Sequence, residues 1–120
     1  MEPPVIDKQA FEKVRQTLTH DFVRILGYFI EDGQKSVDRI VGGMRSRDAH
    51  ALVIPAHTLK NEARQFAAFP LADLADDIER GARRVVEARG DIIDLMLPVA
   101  RLQPLWRQTL DVLEVETNPL

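Results

Sequence analysis

Apolar residues return every three or four positions in segment after segment of this chain, and nowhere do they alternate with polar residues over the length of a strand. A period near 3.6 lays apolar side chains along one side of a helix, whereas a half-buried strand needs a period of two. Phe22, Leu26, Phe29, Gly33, Val37, Ile40 and Met44 keep the helical spacing in the longest stretch. Ala49, Leu52, Ala56, Leu59, Ala63 and Phe66 follow at alternating steps of three and four, and then Leu71, Leu74, Ile78, Ala82 and Val85. A last segment carries Ile92, Met96, Val99, Trp106, Leu110 and Leu113. No βαβ rhythm is visible. Long amphipathic helices joined by short connections pack as antiparallel neighbours. The expected fold is all-α: an antiparallel four-helix bundle with a short additional N-terminal helix.

Punctuation divides the segments. Asp7 is a candidate N-cap for the short helix, running to Leu18, and Asp21 for the next, running to about Met44 and fraying at Gly42 and Gly43. Asp48 opens the third helix, and Pro55 should kink it or loosen its first turns. Pro70 suits the first turn of the fourth, and Gly90 its end. Pro98 and Pro104 should bend or split the last helix. With 120 residues and neither a repeat nor a low-complexity linker, residues 1–120 read as a single domain.

Composition excludes several functions. With no cysteine there is no disulfide framework, thiolate metal site or thiol nucleophile. A net charge of −3 provides no basic field for nucleic acid. The first residues lack a secretory leader's basic start and apolar run, and no apolar run is long enough to span a bilayer. A cytoplasmic protein with protein partners is expected, with no nucleic acid and no membrane. Gly-rich phosphate loops, GxSxG and GxGxxG are absent. So are HExxH and ExxH, and His50 stands seven residues before His57, which is unsuited to a metal pair on one helix. His20 reads as a loop residue. Asp73, Asp76, Asp77, Glu79 and Arg80 read as a solvated helical face.

The third helix holds the most informative pattern. At about 100° per residue, His57 falls about 130° from the centre of the seam running from Ala49 to Phe66, and is therefore exposed. Val53 and Ile54 lie one turn before it, Lys60 and Asn61 one turn after, and Arg64 a turn further. An exposed imidazole beside outward apolar groups and cations suggests a docking surface around a reactive histidine. A neutral imidazole is a competent nucleophile near neutral pH. Phosphoryl transfer in turn requires mainly positioning and charge neutralisation.

The run from Ala56 to Ala68, AHTLKNEARQFAA, resembles the signature of histidine-containing phosphotransfer domains, and the succession of helices from about Asp21 to Glu114 is similar to theirs. The resemblance implies that His57 accepts the phosphoryl group and that Lys60 steadies its oxygens. It places Glu79 and Arg83, on the next helix, near the imidazole. Arg83 is the better helper there, since the position of Glu79 is often Gln in that family. It also implies a phosphocarrier without kinase activity of its own, acting as a monomer between response-regulator receiver domains and a hybrid histidine kinase. No cofactor of its own is expected, and Mg²⁺ would belong to the partner receiver. Asn61 replaces the family's glycine after the lysine, which implies slower transfer or narrower partner choice, and Ala67 replaces a later glycine.

Three other readings compete with this one. A helical scaffold or inhibitor could bind a receiver or kinase without being phosphorylated, which Asn61 and Glu79 favour. The others are a dimeric helical-hairpin phosphotransferase lacking its ATP-binding half and, more remotely, a metal-binding bundle.

Overall fold

The computed structural model describes residues 3–117, and no strand occurs among them. Five helices follow one another: α1 (Lys8–Leu18), α2 (Phe22–Arg45), α3 (His50–Gln65), α4 (Phe69–Ala88) and α5 (Met96–Thr117). Single 3₁₀ turns at Thr19–Asp21 and Ile92–Leu95 lead into α2 and α5. Helices α2 to α5 close a ring in which α3 packs on α2 and α4, and α5 on α4 and α2. The connections after α2 and α3 are too short for anything but an antiparallel return.

The apolar seams meet in the middle of this ring. Phe29 stacks on Phe66 with ring centroids 5.2 Å apart, and Trp106 meets Phe29 edge-on. The Trp106 indole N–H donates to Gln34 at 2.9 Å, so its one polar atom is satisfied at the core's edge. The same ring lies directly on Gly33, where any side chain would run into it. Leu26, Val37, Ile40, Leu52, Leu59, Ile78, Ala82 and Leu113 are fully buried around this centre. Helix α1 closes one end: the Asp7 carboxylate caps it through the Ala10 N–H at 3.0 Å, and the Asp7 N–H donates to the Ala67 carbonyl beyond α3. Arg15 of α1 pairs with Glu116 of α5 and lies over the Phe22 ring.

Several local expectations need correction. Helix α2 does not fray at Gly42 and Gly43 but continues to Arg45, because Gly43 is buried against Leu52 of α3 and tertiary packing outweighs helix propensity. Asp21 makes no capping hydrogen bond. Asp48 accepts weakly from the Ala51 N–H at 3.3 Å, two residues ahead of the helix proper. Pro55 stays inside α3 with its ring buried; the carbonyl that loses an N–H partner belongs to exposed Ala51, where water can replace it. Helix α5 is not split. Pro98 falls in its first turn, where no intrahelical N–H is needed, and Pro104 is accommodated in the interior. Met96 points outward. At the end of α4 it is Arg89, one residue before Gly90, that adopts the left-handed cap, with φ 50° and ψ 41°.

Candidate functional site

The pair α3–α4 has the most extensive packing in the molecule, and the site is built across it. Helix α3 contributes His57, Lys60 and Asn61; α4 contributes Asp76, Glu79 and Arg83. Within each helix these side chains stand three or four apart and so share a face. The His57 side chain is 47% exposed, as its helical phase requires.

Glu79 stands beside the imidazole, as the resemblance implies, but its burial overturns the reading of it as part of a solvated face. It is 4% exposed and lies under His57, where a solvated face was expected. The reason lies on α4 itself: Ala72, Ala75, Glu79 and Ala82 are spaced three, four and three apart, and all four are buried. Small residues there let α3 come close, and the carboxylate is carried into the contact with them. That second seam was the available signal. Residues Asp73, Asp77 and Arg80 remain exposed as expected.

The buried carboxylate gathers His57, Lys60 and Arg83 around it. Its Oε2 lies 3.0 Å from His57 Nδ1 and accepts from Arg83 Nε and Nη2 at 3.1 and 2.9 Å. Its Oε1 lies 2.7 Å from Lys60 Nζ, an ion-pair contact without the alignment of a hydrogen bond. Lys60 also reaches Asp76 Oδ1 at 3.5 Å. Burial alone would push the Glu79 carboxyl up, but Lys60, Arg83 and His57 together hold it down to about 2, so it is ionised at any ordinary pH. A carboxylate can only accept, so the His57 ring places a proton on Nδ1 and leaves Nε2 with its lone pair. Nε2 points away from α4, with Asn61 Nδ2 at 3.2 Å.

Of the expected site residues, the structure brings His57, Lys60, Arg83 and Asn61 together. Arg64 is exposed and takes no part in this network. Ile54 is 67% exposed, as expected beside His57. Val53 is not outward: it is only 9% exposed. Because α3 is wedged between α2 and α4, its buried arc is wider than one seam and takes in Val53 and Pro55. The apolar companion that sequence spacing missed is Val86 of α4, 42% exposed. Together with His50, Val53, Ile54, Arg83 and Glu87 it lines a shallow hollow of about 320 Å³ next to the imidazole network. A larger cleft of about 610 Å³ lies between α4 and the start of α5, on the other flank of α4, and contains no histidine. Among the described residues no cluster of three metal-ligating side chains occurs.

An outward imidazole, a buried carboxylate on its inner nitrogen and two cations at hand suit a group carried on Nε2. Residues 24–114 match the Hpt domain family. The chain belongs to that family. Hpt domains serve histidine phosphotransfer in two-component phosphorelays and interact with receiver domains and histidine kinases, and this Hpt domain does the same. Its fold is similar to that of the histidine-containing phosphotransfer protein B (HptB) of Pseudomonas aeruginosa PAO1, with 18% identity and a TM-score of 0.82 over 97% of this chain and 96% of that one. It is also similar to the HPT domain of the Hpt sensor hybrid histidine kinase from Shewanella, with 12% identity and a TM-score of 0.76 over 97% of both chains. Curated protein sequences yield no match. No helix among the described residues of this Hpt domain is long and apolar enough to cross a membrane.

Proposed function

We propose that His57 is the residue that accepts and donates the phosphoryl group, through Nε2, between receiver-domain aspartates. One observation carries this reading: the ionised, buried Glu79 takes the Nδ1 proton as a hydrogen bond and so directs the other lone pair to the surface. The step balances without a base. The Nε2 pair forms the N–P bond as the P–O bond of the aspartyl phosphate breaks, and the aspartate leaves with the electron pair. Nδ1 keeps its proton, and Glu79 offsets the charge that the ring gains. Lys60 and Arg83 neutralise Glu79 at rest, and Arg83, half exposed, is placed to turn toward the phosphoryl oxygens.

The partner receiver supplies Mg²⁺ and the acceptor aspartate, and a hybrid histidine kinase supplies the phosphoryl group upstream. The domain itself is a carrier, without kinase activity or a cofactor, acting as a cytoplasmic monomer that binds neither membrane nor nucleic acid. Ile54 and Val86, with the rim of Val53, form the apolar part of the docking face, flanked by Asn61 and Arg64. The His57→Gln variant should take up no label from a phosphorylated receiver while melting within about 0.5 kcal/mol of wild type, since the side chain is half exposed. Label found at His50 or His20 instead would refute the assignment. A wild-type chain that binds the phosphorylated receiver and takes no label at His57 would also refute it.

A further inference from the structure

Asn61 follows His57 by one turn on the exposed side of α3, and its Nδ2 lies 3.2 Å from the ring's Nε2. The other ring nitrogen is fixed by Glu79, which accepts at Nδ1. A neutral imidazole held in this way has one acceptor left, the Nε2 lone pair, and a carboxamide NH₂ is a donor. The pair of electrons that receives the Asn61 proton is the one that must form the N–P bond. The two uses exclude each other.

We propose that Asn61 is a positioning residue that covers the nucleophilic lone pair of His57 and must turn aside before a phosphoryl group can enter. This rests on the reading of His57 as the acceptor. Asn61 is exposed, so a side-chain rotation is enough to uncover Nε2, and the backbone of α3 can stay in place. The cover lowers the rate by the strength of one solvent-exposed hydrogen bond, roughly three- to tenfold. A partner that offers the Asn61 amide an acceptor of its own recovers that factor, while a partner that offers none does not. Asn61 thereby selects among receivers according to what they place beside the histidine. Once the N–P bond has formed, Nε2 has no lone pair to offer, and the amide N–H is free to donate to a phosphoryl oxygen.

A small electrophile tests the contact with no partner present. Diethyl pyrocarbonate acylates an unprotonated imidazole nitrogen, which attacks the reagent's carbonyl carbon and expels ethyl carbonate. Peptide mass spectrometry follows each histidine of the full chain at mildly alkaline pH, with exposed His50 as the internal reference. Asn61→Ala, which removes the donor, should react at His57 roughly three- to tenfold faster than wild type. Asn61→Asp, nearly the same size but only an acceptor, should react more slowly than wild type, because carboxylates at both ring nitrogens favour the imidazolium, in which Nε2 carries a proton as well. His50 should react at one rate in all three chains. An Asn61→Ala rate equal to wild type would overturn the proposal, and so would an Asn61→Asp rate no lower than wild type, which would mean bulk alone shields the ring. Nitrogen-15 spectra of the wild-type imidazole give a check that needs no variant: Nδ1 should carry the proton, and a ring protonated on Nε2 would also overturn it. If the acylation rates follow the expected order but the wild-type chain accepts no phosphoryl group from any receiver, the acceptor reading fails and the Asn61 contact stands.

Discussion

A single carboxylate settles the charge at the site, and its burial is what makes it effective. Glu79 lies where water cannot solvate it, so it must be met by the groups it touches: Nδ1 of His57, both forks of Arg83 and the Lys60 ammonium. A glutamine there would still accept the Nδ1 proton but would leave the cations uncompensated. Glu79→Gln should therefore keep transferring, about tenfold more slowly, equivalent to about 1.4 kcal/mol. It should also be less stable by about 1–2 kcal/mol at neutral pH, a modest loss because Arg83 can turn to water. The folded carboxyl titrates at about 2 against an ordinary 4.5, so its stabilisation is complete above 4.5 and is lost as pH falls through 2. Melting curves of the two proteins should accordingly converge between those values. A variant that transfers at wild-type speed would show that the negative charge is not used.

At the scale of the helix, the ends differ more than the middles. Helices α3 and α4 both stop on a left-handed residue that is not glycine, Ala67 at φ 63° and Arg89 at φ 50°. After α3, the Ala68 N–H bonds to the Ala63 carbonyl at 2.8 Å and the Ala67 N–H to that of Arg64 at 3.2 Å, a Schellman turn; after α4, the Arg89 and Gly90 N–H groups both bond to the Val85 carbonyl. Ala67 is buried, and a glycine there would relieve strain but give up a packed methyl. Arg89 is exposed and has no such compensation. Arg89→Gly should stabilise the domain by about 0.5–1 kcal/mol, net of the added freedom of the unfolded chain, and raise Tm by about 2–5 °C. A lower Tm would mean that the Arg89 side chain makes a contact worth more than the strain. The core faces of the helices were readable from spacing alone, since Phe22 to Ile40, Leu52 to Phe66 and Leu71 to Ala82 are buried as their periods require. So was the outward phase of His57. What spacing missed depends on neighbours: α2 runs past Gly43 because Leu52 packs there, and Val53 is covered because α3 has two partners. Glu79 was misjudged for the same reason. A charged residue on a small-residue seam looks solvated until the facing helix is in place.

At the scale of the whole bundle, one partly buried carboxyl stands out among the described residues because no basic group answers it. Glu62 of α3 is partly buried, its Oε1 has no hydrogen-bond partner among the described residues, and the negative Asp32 of α2 acts on it from the adjacent helix. Burial first, and then Asp32, raise its carboxyl from 4.5 to about 7. A carboxyl that titrates higher in the folded state binds more protons there than in the unfolded chain, so stability falls as pH rises between those two values. Below 4.5 both states are protonated and the group contributes no pH dependence. Above 7 the full penalty applies, on the order of 1–2 kcal/mol after discounting the part of the group that water reaches. Glu62→Gln mimics the protonated form in shape and should remove the penalty: more stable than wild type by that amount at pH 8, equal to it at pH 4. Glu79 contributes no slope between pH 4.5 and 8, since it is ionised in both states there. Chemical denaturation of the two proteins across this range isolates Glu62. Parallel curves would place the Glu62 carboxylate in water, with the gap between α2 and α3 open enough to solvate it.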